Sequence, residues 1–218
     1  MESKKATLAL LFILSISLLP VFGSVEQREF TPVENMEAMV ELINANALKT
    51  ESIQSNFIQT KQLEFLDETI VSKGKFWFRK ENSLRWVYET PYEYAIIIHN
   101  GKFHIRDGEQ VNSYDIESNA VFREINDLIV GMVQGDVANQ DKFELAAFES
   151  GNQFLIRLVP READMRKVIS EMEVYFDKDD LMVSEIVMNE GESDRTVITF
   201  VDRRINETIP DAVFTTGY

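Results

Sequence analysis

The chain has 218 residues, of which 37 are acidic and 22 are basic, and it contains no cysteine. The formal net charge of -15 disfavours nucleic acids and anionic membrane surfaces as partners, because these carry charge of the same sign. The lack of cysteine excludes disulfide bonds and thiol chemistry, so an exported domain of this sequence depends on its own apolar core.

The N-terminal segment has the pattern of a secretory signal peptide. A basic start precedes an apolar run at residues 6–19, which Pro20 ends. The run is shorter than the roughly 20 residues that a membrane-spanning helix needs, and small residues follow it where cleavage is expected. We therefore expect residues 1–23 to be a cleaved signal peptide and residues 24–218 to form a single exported, soluble domain.

The next segment predicts an amphipathic helix. Apolar residues recur every three to five positions between Met36 and Leu48, which is typical of a helix with one buried face. Thr31 and Pro32 suit its beginning, since proline is favoured in a first helical turn. The helix should end near Thr50.

Strand patterns follow from Ser52 to the end of the chain. The strongest hairpin signal is Asn100-Gly101, because both residues tolerate a positive φ. The alternating strand pattern is interrupted at residues 122–135, which predict a second helix. Residues 160–167 predict a charged loop. The expected strands are 52–65, 70–79, 84–88, 94–99, 103–106, 110–116, 142–149, 153–159, 169–177, 181–189 and 195–201.

About eleven antiparallel strands and two helices predict a mainly β fold of the α+β class. A sheet of that width cannot stay flat, because its strands twist. We expect an unclosed antiparallel β-barrel that encloses an apolar cavity, with the helices as a lid over it.

Residues that carry chemistry are few. His99 and His104 flank the Asn100-Gly101 turn, but no third metal ligand is apparent beside them. The sequence has no glycine-rich phosphate loop and no nucleophile motif. We therefore expect no enzyme, no cofactor and no metal, and the only loose catalytic candidate is a histidine near Ser113.

With these features, the chain resembles the outer-membrane lipoprotein carrier protein family, LolA. The matching segments are Ile53–Gln59 after a first helix, Gly74–Lys80, Leu84–Trp86 with Pro91 following, and Asn100-Gly101. The resemblance implies an incomplete barrel whose lid covers an apolar cavity. It also implies a monomeric periplasmic carrier that receives acylated lipoproteins from an inner-membrane lipoprotein-releasing ABC transporter and passes them to an unidentified outer-membrane acceptor.

The resemblance and the alternation of side chains also suggest the site. The expected wall of the lipid-binding cavity is Phe57, Phe76, Phe78, Trp86, Tyr88 and Ile97. The expected lid residues are Met39, Ile43, Ile125, Ile129 and Met132. Family members often hold the lid closed through a basic residue at the turn between the two aromatic strands. Lys80 stands there, and Arg79 and Arg85 are neighbours that could share this latch role.

Three other functions stay open from the sequence. The cavity would equally suit free acyl lipids, pigment lipids or glycolipids of the envelope. A curved sheet with a filled interior would suit a periplasmic scaffold protein. A hydrolase of envelope lipids would need His99 or His104 near Ser113 as its base and nucleophile.

Overall fold

The computed structural model describes residues 29–64, 67–80, 82–118, 142–191 and 193–217. The strands in these residues are β1 (Thr31–Pro32), β2 (Ser52–Leu63), β3 (Glu68–Arg79), β4 (Ser83–Thr90), β5 (Tyr94–His99), β6 (Lys102–Asp107), β7 (Gln110–Asp115), β8 (Phe143–Ser150), β9 (Gln153–Pro160), β10 (Ile169–Asp177), β11 (Val183–Glu190) and β12 (Asp194–Ile205). The helices are α1 (Met36–Lys49), α2 (Ala163–Val168) and a 3-10 helix at Asp211–Phe214.

The strands form a single antiparallel sheet in the order β1-β8-β9-β10-β11-β12-β2-β3-β4-β5-β6-β7. Two consecutive meanders, β2 to β7 and β8 to β12, are joined where β12 pairs with β2. In the described sheet β1 and β7 stand at opposite ends, so the sheet is unclosed. This confirms the predicted fold class, with the two-residue strand β1 added to the expected eleven.

Helix α1 begins later than the sequence suggested. Thr31 and Pro32 pair with β8 as strand β1 instead of opening the helix. The side chain of Asn35 accepts a hydrogen bond from the backbone N–H of Ala38 at 3.0 Å and so caps the first turn. The predicted end near Thr50 agrees with the observed last residue, Lys49.

The expected charged loop at 160–167 contains the short helix α2 instead. Asp164 lies in its first turn and pairs with Lys167 in its last turn, with 2.7 Å between Oδ1 and Nζ. An acidic group near the N-terminus and a basic group near the C-terminus of a helix both interact favourably with the helix dipole, so these charges stabilise α2. None of the helices in the described residues has the length and apolar character to cross a membrane. The helix predicted at 122–135 lies outside the described residues.

The two faces of the sheet differ in what covers them. We call the face that carries Phe76 and Phe78 the inner face, and the face that carries Trp77 the outer face. On the inner face, Met39 and Ile43 of α1 are 5% and 1% exposed and belong to the same buried cluster as the two phenylalanines. The helix therefore packs into the main core.

On the outer face lies the C-terminal segment, which we define as residues 206–217. Arg79 donates a hydrogen bond to the carbonyl oxygen of Ile209 at 3.0 Å, and the ring of Phe214 stacks on His99 with 5.9 Å between centroids. Ile209 and Phe214 form a small core against Trp77. Both faces of the β3–β4 hairpin are therefore covered.

Gly74 lies where the backbone of β3 closely approaches its neighbours. A Cβ atom at this position would lie 1.8 Å from the carbonyl oxygen of Val87 and 2.7 Å from Cζ of Phe57. The pairing of β3 with β4 is irregular between Lys73 and Gly74, which is a common device for bending a strand. The ring of Phe57 thus takes the space that a side chain at residue 74 would need.

We predict that Gly74→Ala lowers the free energy of unfolding by about 1–3 kcal/mol, because either the backbone or the ring of Phe57 has to move. Denaturant unfolding followed by circular dichroism measures this loss. Gly217→Ala is the control, since no atom lies within 4 Å of its added Cβ. Equal stability of the two variants would contradict the packing described for Gly74.

Candidate functional site

Aromatic side chains from four adjacent strands meet on the inner face. We call the set Phe57, Phe76, Trp86, Tyr88 and Phe200 the aromatic wall. Its ring centroids lie 4.8 Å apart for Phe57–Trp86, 5.1 Å for Phe57–Tyr88, 5.3 Å for Phe76–Trp86, and 5.8 Å for both Phe76–Phe200 and Trp86–Phe200. Tilted and edge-to-face contacts of this kind are favourable between aromatic rings.

The wall has a buried base and a more accessible surface. Phe57 and Phe76 are 1% and 3% exposed. Trp86, Tyr88 and Phe200 are only partly buried and pack against that base. Partly exposed rings on a buried support offer a firm apolar surface, which gains free energy when hydrocarbon displaces water from it.

Five of the six residues expected to line the cavity lie on the inner face. Ile97 does not: it packs on the outer face against Val87 and Ala95 and is 0% exposed. Strand β5 is apolar on both faces, so its sequence has no alternation from which to assign sides. The pairing of Ile98 with Leu84 places Ile98 on the inner face. Its neighbour Ile97 therefore faces the outer side.

Phe200 is a wall residue that sequence reasoning missed. It pairs with Phe57 across the junction of β12 and β2, between residues far apart in the chain. A local pattern does not contain that pairing. The useful signal was the alternation of apolar residues within β12, which assigns Ile198 and Phe200 to one face.

Tyr88 links the wall to a polar region. Its hydroxyl group donates a hydrogen bond to Oε1 of Gln59 at 2.9 Å. Burial raises the pKa of Tyr88, and the nearby Tyr94 raises it further. The phenol is therefore uncharged at neutral pH and presents a polar but neutral edge.

Beyond Tyr88 the inner face becomes polar. We call Gln59, Lys61, Glu190 and Thr196 the polar rim. Lys61 forms an ion pair with Glu190, and the hydroxyl group of Thr196 donates to Oε1 of the same carboxylate at 3.2 Å. Lys61 and Thr196 are direct partners in the β2–β12 pairing, so the pair sits at a fixed place in the sheet.

The expected lid residues fall into two groups. Met39 and Ile43 lie on the buried side of α1. Ile125, Ile129 and Met132 lie outside the described residues. Leu48, which the helical pattern assigned to the buried side, is 76% exposed. The buried face of α1 runs through Met39, Ile43 and Ala47 at a spacing of four, and Leu48 lies about 100° away from it.

The three latch candidates make different contacts. Lys80 donates a hydrogen bond to the carbonyl oxygen of Leu48 at the end of α1 and pairs with Glu51, with 2.6 Å between Nζ and Oε1. Arg79 and Arg85 lie on the outer face and bind the C-terminal segment. Lys80 thus contacts the segment that ends α1.

The two histidines lie on the outer face, away from the aromatic wall. Nδ1 of His99 is 2.9 Å from Oγ of Ser83, and Nδ1 of His104 is 2.7 Å from Oγ of Ser113. Burial, and then the charge of Lys102, lower the pKa of His104. Within the described ranges, no three histidine or acidic side chains come together as a metal site would require.

A groove of about 870 Å³ lies on the outer face. Trp77 and Val87 contribute to its floor, but its sides carry charged residues, including the Lys75–Glu89 pair at 2.6 Å. Charged walls would lose hydration to a hydrocarbon ligand. The inner face therefore suits an acyl chain better than this groove.

A family model described as "Outer membrane lipoprotein carrier protein LolA" matches residues 48–217. No curated protein sequence matches the chain. The structure of Pseudomonas aeruginosa MucB, in its complex with MucA, is similar with 13% identity and a TM-score of 0.51, over 83% of this chain and 61% of that one.

Two further solved structures are similar at lower scores. A LolA superfamily protein of Nitrosomonas europaea has 10% identity and a TM-score of 0.46, over 84% of this chain and 98% of that one. The Mycobacterium tuberculosis lipoprotein LppX has 12% identity and a TM-score of 0.48, over 81% and 99%.

We predict that Arg85→Met loosens the C-terminal segment. Arg85 is 2% exposed, and its guanidinium group donates to the carbonyl oxygens of Val213 at 3.3 Å and Thr215 at 2.9 Å. Loss of hydrogen bonds from a buried charged donor costs about 1–3 kcal/mol. Hydrogen exchange should accelerate in residues 209–217.

Arg106→Met is the matched control on the same face, since its partner Glu93 is 65% exposed and exposed ion pairs add little stability. Unchanged exchange in the C-terminal segment of the Arg85 variant would show that its anchor lies elsewhere.

Proposed function

The chain belongs to the LolA family, and we propose that it is a periplasmic carrier that holds the acyl chains of lipoproteins and delivers them from the inner to the outer membrane. The observation that carries this proposal is the aromatic wall, whose partly buried rings line the inner face of an unclosed sheet. Such a surface suits a hydrocarbon chain that has to enter and leave.

The physical need for a carrier follows from transfer free energies. Each buried methylene group is worth about 0.8 kcal/mol, so a sixteen-carbon chain exposed to water costs on the order of 12 kcal/mol. Acylated proteins therefore do not cross an aqueous compartment unaided. A carrier has to lower this cost and yet bind more weakly than the final acceptor.

Competition between a lid and the cargo would moderate the affinity. If the empty carrier closes over its own apolar surface, cargo has to displace the lid. The apparent Kd is then the intrinsic Kd divided by the fraction of protein that is open, so binding is weaker. In this proposal Met39 and Ile43 of α1 belong to the lid, and Lys80 holds the end of α1. The lid role of Ile125, Ile129 and Met132 stays a prediction.

The wider pathway is also part of the proposal. Residues 1–23 would direct export and be removed, and residues 24–218 would form a monomeric carrier. Loading would come from an inner-membrane lipoprotein-releasing ABC transporter, and release would be to an outer-membrane acceptor. The net charge of -15 suits docking surfaces that are basic, because opposite charges speed encounter.

A second candidate is binding of a protein partner. The MucB fold, which is similar to this one, is seen in a complex with MucA. A carrier of free acyl lipids, pigment lipids or glycolipids would use the same aromatic wall. The experiments below separate these possibilities by the identity of the bound molecule.

We predict that protein purified gently from its own periplasm carries acylated lipoproteins in near-stoichiometric amount, detected by native mass spectrometry. Phe200→Asp should reduce the bound fraction at least tenfold, because a carboxylate on the wall would be desolvated by an acyl chain. Val71→Asp is the matched control, since Val71 is on the outer face of the same sheet and 49% exposed.

If a free lipid co-purifies in place of lipoproteins, the protein is a carrier of free lipids and the proposed lipoprotein cargo is wrong. An unloaded protein that holds a specific protein partner would overturn acyl carriage. Equal loss of cargo in the Phe200 and Val71 variants would show that the effect does not come from the wall.

We also predict that acyl ligands alter the fluorescence of one tryptophan only. Trp86 lies on the aromatic wall, whereas Trp77 packs under the C-terminal segment on the outer face. A bound chain excludes water from Trp86, so its emission should shift to shorter wavelength when ligand binds. The Trp77→Phe variant, which keeps Trp86, should retain this blue shift. The Trp86→Phe variant should lose that shift, and a shift retained there would contradict binding on the inner face.

A further inference from the structure

The inner face changes from apolar to polar along each of the two central strands. On β2 the inward-facing residues run from Phe57 through Gln59 to Lys61, because side chains alternate along a strand. On β12 the corresponding residues run from Phe200 to Thr196. A ligand that lies along these strands meets aromatic rings at one end and hydrogen-bonding groups at the other.

The charge of Lys61 at the polar end is neutralised within the protein. Lys61 is paired with Glu190, and Thr196 holds the other oxygen of that carboxylate. The side chains of Lys61 and Glu190 are 33% and 24% exposed, so a ligand can reach both. Asp194 is the partner of Glu190 in the β11–β12 pairing and adds a second carboxylate here.

One paired cation beside two carboxylates favours one class of polar group over another. Ester and amide groups can exchange hydrogen bonds with Gln59 or Tyr88, which are bonded to each other, without disturbing the ion pair. A phosphate group would compete with Glu190 for Lys61 and would lie near two carboxylates, and like charges placed together are unfavourable. The repulsion, rather than any extra attraction, supplies the selectivity.

Resting on the carrier function proposed above, we infer that the polar rim selects acyl ligands that are uncharged where the chains join the head. The glyceryl ester and amide groups of an acylated cysteine fit this description. Anionic phospholipids, which carry a phosphate at that place, are discriminated against. The Lys61–Glu190 pair is the specificity-determining element.

The test compares two probes with the same short acyl chains, each below its aggregation concentration. One is a synthetic diacylglyceryl-cysteinyl peptide whose α-amino group is acetylated and therefore uncharged, and the other is phosphatidylglycerol. Glu190→Gln keeps an acceptor for Thr196 but leaves the charge of Lys61 unbalanced. We expect the preference for the lipopeptide, measured as a ratio of Kd values, to fall about fivefold, as for one partly exposed charge.

Two further variants make the result specific. Glu89→Gln removes the same charge from the Lys75–Glu89 pair on the outer face, where Nζ and Oε1 are 2.6 Å apart, and should leave the ratio unchanged. Lys61→Met leaves the carboxylates without their cation and should raise the preference for the lipopeptide. Thermal unfolding of each variant verifies that it is folded.

An unchanged ratio in folded Glu190→Gln would overturn the inference, and the carrier function would stand because both probes still bind. An equal change in Glu89→Gln would also overturn it, since overall charge would then explain the effect. If the native protein binds neither probe, the carrier function itself fails, and the inference fails with it.

Discussion

The pairing of β2 with β12 is the interaction on which the rest of the structure depends. It joins two meanders that would otherwise be separate sheets, each with an open edge. The same pairing sets Phe57 beside Phe200 and Lys61 beside Thr196. A shift of this register by one residue would place Phe57 and Phe200 on opposite faces of the sheet, and would separate Lys61 from Thr196 in the same way.

The β3–β4 hairpin uses its two faces for different purposes. Trp77 on the outer face is packed under the C-terminal segment, where Arg79 and Arg85 hold backbone carbonyl groups. Phe76 and Trp86 on the inner face belong to the wall. Because the outer contacts fix the hairpin, the ring of Trp86 can stay partly exposed without depending on a ligand for its position.

The gradient along the inner face connects the geometry with the proposed cargo. An acylated protein is amphipathic, and the wall and the rim offer complementary surfaces for its two parts. The apolar part of the binding free energy scales with chain length, whereas the rim contributes mainly discrimination. In this proposal the strength and the selectivity of binding would come from different residues, such as Phe200 for the acyl chain and Lys61 for the polar group.

The sequence by itself determined the strands, helix α1, the unclosed antiparallel sheet, and the sharing of one face by Phe76 and Phe78 and by Trp86 and Tyr88, because alternation and turn residues are local properties. Only the tertiary structure decided the side of Ile97, since an apolar run such as β5 has no alternation. It also decided the place of Phe200, of the Lys61–Glu190 pair and of the segment that covers Trp77. These depend on contacts between distant parts of the chain, which no local pattern records.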